Sequence, residues 1–262
     1  MFRYLRLYLY FVRFSLSKSL EFRLDFTFRI VMDCMFYAVN IGLYWTLFQH
    51  FHQIGGWNRS EAMIFVMGFL FVDALQMTLI SNNLWWIPQT VNRGDLDYYL
   101  VRPVSSLFFL AFKEFAFNSF INLLITVGLL AFAFHEFPHP LTITQIALYI
   151  ALLLNGAFLL IGLQIALTTP IFWLQSIDGL RDISWTMSRV MERPDRIFQG
   201  FGRKIFTTVL PFCLMVSFPA RLLIEGFSWE TLAQILGTTV VFWAFVIWFW
   251  NRGLRSYSSA SS

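Results

Sequence analysis

Three stripes of polar side chains interrupt runs of sequence that are otherwise apolar. Asp33, Tyr37, Asn40 and Tyr44 fall at i, i+4, i+7 and i+11, so a helix would carry them on one face. Asp73 has Gln76 and Asn83 within about 80° of it on a helical wheel. Glu114, Asn118 and Asn122 repeat the theme at spacings of four. Carboxylates and amides in apolar surroundings must face protein or water, so they either hydrogen-bond between helices or line a path for protons, cations or a polar solute. Residue type leaves both readings open. Asp73 falls deepest in its run and is the strongest candidate for a functional charge. Arg29 and Asp33, four apart, read as a local ion pair. Lys113 is placed to extend its ammonium to an interface.

Other chemistry is thinly represented. His50, His52, His135 and His139 sit beside two short connections, which would suit a metal or a pH sensor. No cysteine or dense carboxylate cluster accompanies them, so they read as solvated helix ends. Cys34 and Cys213 lie in apolar segments and are expected as free thiols. The chain has no G-x-x-x-x-G-K-[ST] phosphate loop, no H-E-x-x-H helix and no G-x-S-x-G elbow. No catalytic, metal-ligating or cofactor-binding residue is expected, and any ATP consumed is hydrolysed by another chain.

The elements that carry these residues follow from composition. Of 262 residues, 58% are hydrophobic, 19% aromatic and only 13% charged, and the mean hydropathy is +0.63. Such a chain needs lipid around it. The fold expected is an all-α polytopic membrane protein with six transmembrane helices at 26–49, 62–86, 107–134, 143–174, 205–224 and 232–250. An amphipathic membrane-surface helix within 1–25 precedes them, with Leu5, Tyr8, Val12 and Leu16 on one face and Arg3, Arg6, Arg13 and Lys18 on the other. A tail at 251–262 follows. The same basic residues argue against a cleaved signal peptide. The fourth span is long enough to need tilt or a bend at Pro170, and Pro211 and Pro219 predict a broken fifth helix.

Charge then orients the bundle. With both termini in the cytoplasm, all but Arg59 and Arg221 of the 19 Lys and Arg residues fall on the inner side. That count places Arg93, Arg102 and Lys113 of the second connection with Arg181, Arg189, Arg193, Arg196, Arg203 and Lys204 of the fourth. The net charge of +4 thus follows the membrane and gives no reason to expect nucleic acid. Trp85, Trp86 and Trp173 read as anchors at the inner interface, and Trp45 and Trp57 as anchors at the outer end of the first span.

The second connection reads Arg93-Gly94-Asp95-Leu96-Asp97-Tyr98-Tyr99-Leu100-Val101-Arg102-Pro103-Val104-Ser105. Gly94 permits a turn, Asp95 is placed to cap a short helix, and Pro103 ends it. The segment resembles the R-G-x-L-D-x-x-L-x-R-P-x-S stretch of permeases in the type-2 class of ATP-binding-cassette exporters. Glu192-Arg193-Pro194-Asp195-Arg196-Ile197-Phe198, then Pro211 and Phe218-Pro219-Ala220, are similar to the P-x-x-I-F … P … P-A region of the same family. With the six spans, the resemblance covers essentially the whole chain. It implies a permease of the bacterial plasma (inner) membrane, pairing with itself or a sister permease and bound to two ATP-binding-cassette ATPase subunits. On that implication Arg93, Gly94, Asp95, Leu96, Asp97, Arg102 and Pro103 couple to the ATPases. Asp33, Asn40, Asp73, Gln76, Glu114, Asn118 and Asn122 are candidates to line a path for an amphipathic or hydrophobic cargo. The competing expectations are an ion-coupled transporter or channel using Asp73 and Glu114, and a membrane-embedded enzyme using the histidines.

Overall fold

The computed structural model describes residues 2–21, 23–174, 176–180, 182, 186 and 189–258. Arg181, counted above with the inner side, lies outside the described residues. Among those described, the secondary structure is helical, apart from one isolated bridge between Ile54 and Trp57. The first helix, α1, covers Phe2–Glu21, and α2 follows as Arg23–His50. A capping box starts α3 (Arg59–Gln76): the Asn58 side chain accepts from the Glu61 amide, and Glu61 accepts from the Asn58 amide at 2.8 Å. A π turn at Met77–Ser81 joins α3 to α4 (Asn82–Asn92).

Two short helices come next, α5 (Asp97–Leu100) and α6 (Ser106–Phe112), then α7 (Phe117–His135). The expected third span, 107–134, is therefore two pieces separated by a break at 113–116. The fourth, α8 (Ile143–Thr168), opens on a Thr142–Gln145 capping box and tightens into a 3-10 turn at Thr169–Phe172. Pro170 sits in the first turn of that piece, where its missing N–H is least costly.

The expected fifth span is broken, as its prolines suggest. It consists of α9 (Gly200–Lys204), a π turn at Ile205–Val209, α10 (Phe212–Met215) and α11 (Ser217–Ile224). The longest piece has eight residues, about 12 Å, and cannot cross a bilayer. The last helix is α12 (Trp229–Ser256). Five stretches are long and apolar enough to span: Arg23–His50, Arg59–Asn92, Phe117–His135, Ile143–Phe172 and Trp229–Ser256.

The α3–α4 rod is the centre of the bundle, with 72% of its most apolar window buried, against 17% for α2 and for α12. Those outer helices present Phe28, Met32, Met35 and Val39, and Val240, Val241 and Trp248, away from the protein. α8 and α12 run parallel. Asn155 donates to Thr239 at 2.9 Å, Phe158 stacks on Trp243 at 4.1 Å, and Phe172 meets Trp250 at 5.2 Å. Gly156 lets α8 lie against the backbone of α10, since a Cβ there would overlap the Met215 carbonyl.

The 34 residues from Arg59 to Asn92 extend about 50 Å, so Gly56 and Gly94 mark opposite ends of the molecule. Ser176, Ile177 and Asp178 share a cavity with Trp85, Trp86, Pro88, Gln89 and Asn92 at the Gly94 end. Yet the Tyr44 hydroxyl, near the close of α2, donates to the Glu192 carbonyl at 2.5 Å. A Cβ on Gly55 would touch Pro194, and one on Gly56 would touch Arg196. Asp178 thus lies at the Gly94 end, whereas Pro194 and Arg196 lie at the Gly56 end. This corrects the charge count: Arg193 and Arg196 lie at the end opposite Arg93 and Arg102, and Arg203 is drawn there by its ion pair with Asp195.

Candidate functional site

Three groupings of side chains emerge, one at each end of the bundle and one between them. At the Gly94 end, Gly94 adopts φ +79°, the left-handed turn that glycine permits. Leu96 is fully buried and pins the turn to the core, so it is an anchor and offers no surface to a partner. Asp95 makes no cap: Leu96 holds the capping position of α5, with no side-chain bond. Arg93, Asp95, Arg102 and Pro103 are exposed, and Arg102 lies over the Phe109 ring at 4.9 Å. Beside them stand Tyr98 at 70% exposure and Val101 at 83%, an apolar tip that charge-based reading passed over. Its signal was present, because apolar residues on a short polar connection have no lipid to face.

This tip is built onto α1. The rings of Tyr4 and Phe108 meet at 4.8 Å, Phe11 and Phe109 at 5.0 Å, and Tyr8 and Phe112 at 6.2 Å. The Ser105 amide donates to the Tyr4 hydroxyl at 3.2 Å, and Lys18 pairs with Glu114 at 3.0 Å. The docked face is therefore Tyr4, Tyr8, Phe11, Ser15 and Lys18, while Leu5 and Leu16 of the expected apolar face remain exposed. At the break after α6, the Asn83 amide donates to the Glu114 carbonyl at 2.8 Å, and its oxygen accepts from the Glu114 amide at 3.0 Å. The Ala116 amide donates to the Thr78 carbonyl within the π turn at 3.0 Å. One continuous set of contacts thus joins α1, the Gly94 turn, α6 and the middle of the central rod.

Between the ends, most of the polar stripes are internally satisfied. Asn122, fully buried, donates to Asp33 at 2.5 Å. Gln76 donates to Gln164 at 2.6 Å, Asn40 to its own Phe36 carbonyl at 3.0 Å, and Asn118 to Ser119 at 3.3 Å. Arg29 pairs with Asp25 at 2.8 Å instead of Asp33, which corrects the expected local pair. Glu114, held by Lys18 and by its clamped backbone, is poorly suited to carry ions. Asp73 differs. It is partly exposed, and among the described residues no side chain donates to it or pairs with it.

At the Gly56 end, Asp195 is fully buried. Its Oδ2 accepts from Arg203 at 2.9 Å and from Arg221 at 3.4 Å, and its amide donates to Ser217 at 3.1 Å. Glu225 pairs with Arg196 at 2.7 Å and with Arg221 at 3.6 Å, and it accepts from the Trp57 indole at 3.4 Å. Trp57 is 1% exposed, so it is a core residue and not the lipid anchor expected. Trp45 stays exposed, with the Arg59 guanidinium over its ring at 3.4 Å. The network ties the 51–58 loop to the broken segment 200–224.

Apolar helices long enough to span, polar groups satisfied between them and a projecting turn at one end define a multi-pass helical membrane protein. A family model for ABC-2 family transporter proteins matches residues 34–261, most of the chain. The chain belongs to the ABC-2 transporter family and is a membrane-embedded permease component of an ABC transporter. Membership implies association with ABC ATPase subunits, and the permease is not itself the enzyme. Neither a characterised protein nor a solved structure matches the chain.

Proposed function

We propose that this permease works in an exporter of the bacterial plasma membrane, paired with itself or a sister permease and driven by two ATPase subunits. Both termini face the cytoplasm in this reading. ATP-driven closure of the ATPases pushes on the segment from Arg93 to Pro103, with Tyr98 and Val101 as its apolar contacts. The push passes through α6 and the Asn83 clamp into the α3–α4 rod, and α1 braces the assembly against the inner leaflet. Asp33 and Asp73 then border the path taken by an amphipathic cargo.

The observation that carries this reading is the continuity of contacts from the exposed Gly94 turn to the π turn in the central rod. The test is charge reversal, Asp95→Lys with Asp97→Lys, in the full chain co-expressed with its ATPase. Co-purification and permease-dependent stimulation of ATP hydrolysis should both fall about tenfold, as expected when charged contacts of an interface are reversed. Wild-type stimulation in the double variant would overturn the coupling assignment. A satisfied Glu114 weighs against the ion-coupled alternative, and transport by vesicles lacking any ATPase would restore it.

A further inference from the structure

We infer that the space around Asp73 is a recognition site for an organic cation, so that the cargo carries a positive charge. This rests on the transport path proposed above and assigns that path its chemistry. The packing of α2 on α3 sets the geometry. Tyr44 meets Phe65 at 6.4 Å and Phe36 meets Phe69 at 6.5 Å, an antiparallel register that continues to Tyr37 beside Asp73. Tyr37 is 4% exposed as a whole, and its hydroxyl, which still reaches open space, makes no hydrogen bond among the described residues. The charged groups near that hydroxyl are Asp73 and Asp33. An accessible hydroxyl without a partner beside an unpaired carboxylate, both framed by apolar helices, is a place prepared for a polar ligand.

The charge of that ligand follows from the neighbours. Besides the burial that acts on Asp73 first, the charged groups near it are the carboxylates of Asp33 and Glu192. Arg29, near Asp33, is committed to Asp25. Arg189 and Arg193 stand beside Glu192 on its own segment. An anionic cargo would meet like charge at Asp73, whereas an ammonium, guanidinium or phosphonium would supply the missing partner. Among the described residues no three acidic, histidine or cysteine side chains converge closely enough to hold a metal ion. Phe36, Phe69 and Tyr37 add aromatic rings, which suit a diffuse organic charge better than a small hydrated one.

The experiment compares two ions of one shape and opposite charge, tetraphenylphosphonium and tetraphenylborate, binding to the purified full chain in nanodiscs. Phosphonium should bind saturably above empty nanodiscs and borate should not. Asp73→Asn should weaken phosphonium about tenfold, the loss expected for one charge-assisted contact, and Asp73→Glu should restore most of it. Both variants must elute as the wild type does. Equal binding of the two ions, or unchanged phosphonium binding in Asp73→Asn, would overturn the inference. Displacement by sodium but not by tetraethylammonium would also overturn it, by assigning the site to an inorganic cation. The Asp95→Lys, Asp97→Lys variant should bind phosphonium normally, so failure of charge selectivity is separable from failure of the permease reading.

Discussion

Asp195 holds two arginines with one oxygen in a fully buried setting, while its second oxygen has no partner among the described residues. Removing such a carboxylate leaves Arg203 and Arg221 facing each other. Asp195→Ala should therefore lower stability by about 2–3 kcal/mol, below the usual cost of a fully buried pair because both guanidiniums reach solvent. Arg196→Ala, on the more exposed pair with Glu225, should cost less than about 1 kcal/mol. Thermal unfolding in detergent separates the two, and equal losses would remove the distinction. The sequence singled out Asp73 by its depth, and it misjudged Arg29. Asp25 and Asp33 both lie four residues away, and only Asn122, distant in the chain, decides that Asp33 is already occupied.

Helix boundaries show the same division between local and distant information. The capped starts of α3 and α8 are local, and Pro211 and Pro219 made the broken segment legible. The break at 113–116 was hidden, because apolar residues continue on both sides and its stabilising partner is Asn83, 31 residues earlier. Replacing that amide strips two hydrogen bonds from a buried turn. Asn83→Ala should destabilise by about 2 kcal/mol and, more tellingly, reduce transport per ATP hydrolysed while ATPase binding persists. Transport and hydrolysis measured in one proteoliposome preparation would reveal this, and a constant ratio would argue that the clamp only holds the fold.

Counting basic residues by connection assumed that each apolar run crosses once and that polar runs do not. The chain departs from that rule at its fifth apolar run, where 205–224 is broken into pieces too short to span and Arg193 and Arg196 lie at the end opposite Arg93. Single cysteines at Arg93 and Arg193, in a background lacking Cys34 and Cys213, should react with an impermeant maleimide from opposite faces of the membrane. Labelling from the same face would restore the original orientation count. The five long apolar helices were legible from hydropathy; the placement of the fifth apolar run was not, because ion pairing with Asp195 and Glu225 holds the arginines that hydropathy assigned elsewhere.

The π turn at Met77–Ser81 interrupts the rod between Asp73 and the Gly94 end. Such a turn holds one residue more than the α-helix has room for, and a residue corresponds to about 100° of rotation. Ironing out the surplus would spin one half of the rod against the other without breaking it. On the proposed coupling, a thrust at the Gly94 end would thereby become a swivel at Asp73, turning its carboxylate away from α2.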